Sequence, residues 1–305
     1  MNTLPLQGSG ILEEALKLFP CRSGEATHFV LCHGEKMKFL IELKGGVAKL
    51  QKNIAPYNKK LTLLVKLLPI LPWKVLQKVG FGYFARVELH PQIEGYIPAG
   101  SKWNVLVGTY DEAQKLVLQC YTTAAEPCTF IKVGNKGSDI QMQREIDFLR
   151  KNQDFSTFHT PTLLGSSLMS EGFAFNIQAT KEFNGKKVAP VLTEELFRIA
   201  TEIAGPTIMQ EGTAYTFSHG DFAPWNIRCE EGSYTVFDWE HCGLRPAGYD
   251  AAYFIIMADI ALNKCNFDEA FQNAAEQLQR LAPNLKLDKA LIQQEFTKTT
   301  KTLNF

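Results

Sequence analysis

Residues 218–240 read SHGDFAPWNIRCEEGSYTVFDWE, and this stretch decides how the rest of the chain is read. It holds three oxygen donors suited to a hard cation: Asp221, Asn226 five residues on, and Asp238 twelve beyond that. Residues 227–229 suit a strand, residues 230–233 (Glu-Glu-Gly-Ser) are turn chemistry, and residues 234–237 are a β-prone return. A tight hairpin closes its ends, so Asn226 and Asp238 are expected side by side with Asp221 just upstream. Convergent carboxylate and carboxamide oxygens suit Mg²⁺, which takes few protein ligands and leaves the remainder to substrate phosphates. One Asp to receive a hydroxyl proton, with an Asn and an Asp to hold metal, is the chemistry of phosphoryl transfer.

The spacing His219-x-Asp221-x4-Asn226, a hairpin, then Asp238-Trp239-Glu240 resembles the aminoglycoside phosphotransferase and choline kinase-like family, whose fold is protein-kinase-like. The resemblance implies that Asp221 is the catalytic base, that Asn226 and Asp238 are metal ligands, and that His219 orders the catalytic loop. It also implies that Asp250, in Arg245-Pro246-Ala247-Gly248-Tyr249-Asp250, braces that loop from the next helix. Glu240 reads equally as a metal neighbour and as a loop brace. Pro224 fixes backbone geometry, and Trp225 reads as packing.

The bulk properties are those of an ordinary globular chain. Apolar residues make up 45% and charged residues 21% of 305, enough chain for one large or two smaller domains. The 32 basic and 32 acidic residues cancel, which argues against a nucleic-acid binder. Seven cysteines lie singly at 21, 32, 120, 128, 229, 242 and 265. With no CxxC and an odd count, they predict reduced thiols and a cytoplasmic setting. Nothing activates Cys229 or Cys242. The first residues lack a basic stretch followed by an apolar core, so no signal peptide is expected.

Residues 1–100 are expected to form an N-terminal extension of unassigned role. Within it, residues 28–43 (HFVLCHGEKMKFLIEL) read as a strand pair turning at Gly34-Glu35. Residues 61–84 are conspicuously apolar, but Lys66, Pro69, Pro72 and Lys74 interrupt the ~20 apolar residues that a spanning helix needs. The expectation is a proline-broken helix pair packed on the protein, with a membrane-surface segment as the alternative. Pro98-Ala99-Gly100-Ser101 reads as a linker.

Residues 101–183 are expected to form a five-stranded antiparallel N-lobe that binds nucleotide. Residues 103–107 and 116–121 flank a loop with the single glycine Gly108, where kinases often carry three. That loop reads as a phosphate cover or as an ordinary hairpin. Residues 128–133 carry Lys132, and Ser138 begins a capping-box pattern for the following helix. Met142, Ile146 and Leu149 define that helix's apolar face, and Glu145 shares it. An inward carboxylate needs a partner, and Lys132 is the candidate. By resemblance, this is the lysine that grips ATP phosphates, held by a helix glutamate. Residues 162–167 and 172–180 complete the lobe, and residues 181–187 (with Asn184-Gly185) suit a hinge.

Residues 184–305 are expected to form a mainly helical catalytic C-lobe. It starts with a helix from Thr193 to Ala204 and ends with three helices over 251–262, 268–281 and 288–297. The resulting expectation is a bilobal α+β kinase-like enzyme. It would transfer the γ-phosphate of ATP, with Mg²⁺, to a hydroxyl of a small molecule such as a sugar, aminoglycoside or amino alcohol. Two alternatives stand beside it. A pseudokinase is encouraged by the glycine-poor loop. A phosphoesterase would share the His/Asp/Asn ligands but needs more histidines than His219 and His241.

Overall fold

A computed structural model describes residues 10–46, 72–122, 129–151, 153–181 and 185–300. Its internal contacts divide the chain into two compact units, residues 1–142 with 163–182, and residues 143–162 with 183–305.

The first unit is built on one nine-stranded sheet in the order β1-β4-β2-β3-β5-β6-β7-β9-β8. Its strands are β1 (Leu16–Pro20), β2 (His28–His33), β3 (Lys36–Glu42), β4 (Gly82–Leu89), β5 (Lys102–Val107), β6 (Lys115–Tyr121), β7 (Thr129–Gly134), β8 (Leu163–Ser167) and β9 (Asn176–Lys181). The five expected strands are present as β5 to β9, but the expected count of five is corrected to nine. The reason lies in β2 and β3, the expected pair turning at Gly34-Glu35. A hairpin alone is marginal in water, and β3 pairs with β5 through Phe39↔Leu106 and Leu40↔Val105. The N-terminal strands thus extend the same sheet, which continues past Gly100. The 1–100 stretch has no separate sheet of its own among the described residues.

Alternation along β2 shows why the sheet is covered on both faces here. Val30 joins a core with Leu40, Val105, Leu118, Ile131 and Ile177, while Phe29 and Leu31 join Ile41, Leu76 and Phe84 on the other side. The apolar 61–84 stretch departs from expectation in its second half. Residues 61–71 lie outside the described residues. Beyond them lies helix α2 (Trp73–Lys78), which among the described residues comes after the short helix α1 (Gly10–Ala15), and Gly82 already begins β4. Buried Ala85, Val87 and Leu89 on β4 alternate with exposed Arg86 and Glu88, the period of a strand. No helix among the described residues is long and apolar enough to cross a membrane.

Between the strands lie α3 (Pro91–Glu94) and α4 (Asp139–Arg150). Ser138 does not form the expected capping box. Its hydroxyl donates to the Asn135 carbonyl at 2.7 Å, because a 3-10 turn (Lys136–Ser138) precedes the helix.

The second unit combines helices with two three-stranded sheets. One orders β10 (Lys186–Lys187), β13 (Ile227–Glu230) and β14 (Ser233–Val236), the other β11 (Ile208–Gln210), β12 (Thr213–Ser218) and β15 (Gly243–Pro246). Helix α5 (Glu194–Ala204) begins as expected at Thr193, whose hydroxyl accepts the Leu196 amide at 3.3 Å. Its buried face is the expected Leu196, Ile199, Ala200 and Ile203. Helices α6 (Tyr249–Ala258), α7 (Phe267–Leu281) and α8 (Lys289–Thr300) match the three expected C-terminal helices to within a few residues. Every residue of α6 is buried, Asp250 among them, so it is a central helix. Trp239 is fully buried and stacks on Phe148 at 3.9 Å between centroids, with Phe155 and Phe158 behind. That aromatic stack anchors the residue between Asp238 and Glu240.

Candidate active site

Strand β12 (Thr213–Ser218) runs into a loop, a 3-10 turn (Pro224–Asn226), and the hairpin of β13 (Ile227–Glu230) and β14 (Ser233–Val236). The register pairs Ile227 with Val236 and Glu230 with Ser233. Glu231 and Gly232, both at positive φ (50° and 84°), make the two-residue turn that matches strand twist. The Phe237 amide then donates to the Asn226 carbonyl at 3.1 Å, which closes the two ends. Asn226 and Asp238 are thus brought together as their spacing predicts.

Asp221 is buried at the base of this arrangement. The Asn226 amide nitrogen donates to both its backbone oxygen (3.0 Å) and its Oδ2 (2.8 Å). That fixes the carboxamide and leaves Asn226 Oδ1 as the oxygen it can offer a cation. Burial raises the Asp221 carboxyl to about 7, with the Asp238 charge adding to the effect. The Tyr253 phenol and the Asn226 amide oppose the rise. Tyr253 Oη and Asp221 Oδ1 are both buried with no hydrogen bond closed to either atom.

His219 is fully buried, with both ring nitrogens engaged. Nδ1 accepts the Asp221 amide at 3.2 Å, and Nε2 meets the Phe237 carbonyl at 3.0 Å. Those partners assign the proton to Nε2. A ring so occupied ties Asp221 to the residue before Asp238 and has no lone pair left for base chemistry.

Asp250, the second residue of α6, holds the loop from the other side. Its carboxylate accepts Ser218 Oγ at 2.6 Å, the His219 amide at 2.7 Å and the Gly220 amide at 3.1 Å. Burial nevertheless keeps it raised, at about 6. Gly220 is needed here for its backbone: it sits at φ 84°, and a Cβ would lie 2.1 Å from the His241 carbonyl oxygen. Asp250→Ala leaves buried donors without an acceptor and is expected to cost about 3 kcal/mol or more of stability, read from the denaturation midpoint at unchanged m-value.

Asp238 adopts a left-handed conformation (φ 75°, ψ 57°), which turns the chain sharply into Trp239. Asp238, Glu145 and Glu240 offer carboxylate oxygens that all lie within 4.8 Å of one another. Glu145 points inward as its helix position predicts, and its Oε1 accepts the Trp239 amide at 3.2 Å. The Glu240 carboxylate lies 3.5 Å from His241 Nε2, and Arg144 donates to the Glu240 carbonyl at 3.3 Å. Three carboxylates this close repel one another unless a cation lies among them.

Of the residues expected at the phosphates, Lys132 stands half-buried on β7 between Val117 and Gln178 on the neighbouring strands. It belongs to the first unit and Glu145 to the second. The Gly108 amide donates to the Lys115 carbonyl at 2.9 Å. A Cβ at Gly108 would lie 2.8 Å from that same oxygen. The Gly108 amide is thus spent on the connection between β5 and β6.

Two residues near Asp221 carry no signal in the sequence. Tyr253 sits in an apolar helical run and reads as core. Lys187, on the two-residue strand β10 (Lys186–Lys187), reads as part of a polar connector. Its half-buried amine donates to the Trp225 carbonyl and lies 5.1 Å from the Phe237 ring centroid. Desolvation lowers its pKa to about 7; Arg228 adds to that, while Asp238 and Asp221 oppose it.

Residues 177–285 match the model of the phosphotransferase enzyme family. No curated protein sequence matches the chain. Among solved structures, an amicoumacin kinase in complex with AMP-PNP and Ca²⁺ is similar at 12% identity and a TM-score of 0.40, over 70% of this chain and 87% of that one. A microcompartment-associated aminopropanol kinase is similar at 11% identity and a TM-score of 0.39, over 69% and 93%. A putative aminoglycoside phosphotransferase from Ralstonia eutropha is similar at 10% identity and a TM-score of 0.39, over 70% and 85%. Asp221, Asn226, Asp238 and Asp250 all fall within the residues that match the phosphotransferase enzyme family model.

Proposed function

We propose that this chain transfers the terminal phosphoryl group of ATP, with Mg²⁺, to a hydroxyl of a small molecule such as a sugar, aminoglycoside or amino alcohol. The observation that carries the reading is the buried Asp221 carboxylate, held by Asn226 and flanked by Asp238, inside the family-matched segment. The proposed frame is protein-kinase-like, with the first unit as the nucleotide lobe and the second as the catalytic lobe.

The donor set fits a hard divalent cation: Asn226 Oδ1 and Asp238 are the proposed ligands, with Glu145 and Glu240 adding negative charge beside them. When bound, Mg²⁺ supplies charge neutralisation for the phosphate oxygens. Asp221 orients the acceptor hydroxyl and takes its proton. The acceptor oxygen bonds to phosphorus as the bond from phosphorus to the bridging oxygen breaks, and ADP departs with that electron pair. A carboxyl raised to about 7 suits this step, since a general base works best near the operating pH. His219 and Asp250 hold the loop rather than react. Lys132 is proposed to anchor phosphate.

The test is a screen of hydroxylated small molecules with Mg-ATP, following ADP release and acceptor phosphorylation by ³¹P NMR. Acceptor-dependent ADP formation with a new phosphomonoester signal is the expected result. ADP and inorganic phosphate formed at one rate whatever the acceptor would contradict the reading.

A further inference from the structure

Lys187 is placed where a solvated connector lysine has no reason to be. Strand β10 lies antiparallel to β13, with Lys187 opposite Arg228. Gly185 allows that close approach: it sits at φ 99°, and a Cβ there would lie 2.6 Å from the Cys229 carbonyl oxygen. Lys187 and Arg228 consequently flank the same ring, Phe237, at 5.1 and 5.9 Å from its centroid. Like charges directly opposite across a strand pair oppose folding, and Arg228 is buried.

The Lys187 amine spends one donor on the Trp225 carbonyl, next to Asn226. Among the described residues no carboxylate reaches ion-pair distance of it, although Asp221 and Asp238 both act on it electrostatically. An amine with donors to spare therefore stands over the residue preceding Asp238. The proposed reaction brings an anion, the phosphate chain of the nucleotide, into this part of the unit.

We propose that Lys187 is a phosphate-binding residue of the active site, its ammonium donating to the phosphate chain of the nucleotide while the Trp225 carbonyl holds it in place. The proposal rests on the phosphotransferase reading and adds to it a cation on the catalytic unit. Lysine serves phosphates as a compact point charge with three donors, so one donor kept on Trp225 leaves two for the ligand.

The experiment measures binding of Mg-ATP and of adenosine, by titration calorimetry, to the full chain and to its Lys187→Met and Lys187→Arg variants. Thermal unfolding of all three runs alongside. A lost charge-assisted hydrogen bond corresponds to about 10- to 100-fold in affinity. Lys187→Met is expected to lose that much for Mg-ATP and nothing for adenosine, at an unchanged unfolding midpoint. Lys187→Arg should retain most of the Mg-ATP affinity. Equal losses for both ligands, or a large fall in unfolding midpoint, would overturn the proposal in favour of a loop brace. Unchanged Mg-ATP affinity in Lys187→Met would overturn it outright. Wild-type protein that binds no Mg-ATP would instead remove the phosphotransferase reading, and this proposal with it.

Discussion

Asp221→Asn protein is expected to bind Mg-ATP normally and to turn over about 10²–10⁴-fold more slowly, the usual contribution of a positioned general base. The substitution preserves shape and removes the proton acceptor. The surrounding bonds are chosen against collapse: Asn226 Nδ2 still has the Asp221 backbone oxygen at 3.0 Å, and His219 still accepts the residue-221 amide. The lost side-chain contact, 2.8 Å from Asn226 Nδ2 to Oδ2, can be kept by the new carboxamide oxygen. Taking a carboxylate out of a buried site beside Asp238 also removes like-charge repulsion, so the variant should be at least as stable as wild type. Single-turnover and binding measurements on the same preparation separate the two effects.

Asp238→Asn is expected to fail earlier, at binding. Replacing a carboxylate ligand by a carboxamide removes one unit of charge from a hard cation's surroundings. The expected fall in magnesium-dependent nucleotide affinity is about 10–100-fold or more, since changes even beyond the direct ligands reach that size. Turnover should fall with it, and excess Mg²⁺ should restore part of both. The backbone does not confound the test. Residue 238 sits at φ 75°, where Asn is among the few residues that are tolerated. A titration of Mg²⁺ at fixed ATP, read by binding and by rate, gives the apparent metal affinity directly.

The parts of this site that the sequence makes legible are those written locally. Residues 227–236 carry strand alternation broken by Glu231-Gly232, so the hairpin and the approach of Asn226 to Asp238 follow from turn chemistry alone. Asp250 is legible only through the family resemblance, because its bonds to Ser218, His219 and Gly220 span about thirty residues. Glu145 is recognisable as inward from helical spacing, yet its place beside Asp238 and Glu240 depends on tertiary packing around Trp239. Tyr253 is hidden by its neighbours: in Ala251-Ala252-Tyr253-Phe254-Ile255 an aromatic ring reads as core, and its hydroxyl matters only because α6 packs against the Asp221 loop. Lys187 is hidden by composition, since paired lysines in a polar connector read as solvated.

The sheet shows the same division. Strands β5 to β9 follow one another along the chain and are legible as a five-stranded antiparallel set, although β9 lies between β7 and β8. Strand β1 pairs with β4 through Leu16↔Leu89, and β2 with β4 through Phe29↔Phe84. Such pairings join residues far apart in the chain, and strand propensity alone does not specify the partner. The run before β4 is apolar enough to mask where helix yields to strand, and Gly80 and Gly82 mark that change only in retrospect.

The claim at the centre of this account is the division of labour between two aspartates, one for the proton and one for the metal. Titration calorimetry of Mg-ATP into the wild-type, Asp221→Asn and Asp238→Asn proteins tests it most directly. The account predicts wild-type affinity in Asp221→Asn and strongly weakened, Mg²⁺-dependent binding in Asp238→Asn. Loss of nucleotide binding in Asp221→Asn together with its retention in Asp238→Asn would reverse the two roles and contradict the proposed mechanism.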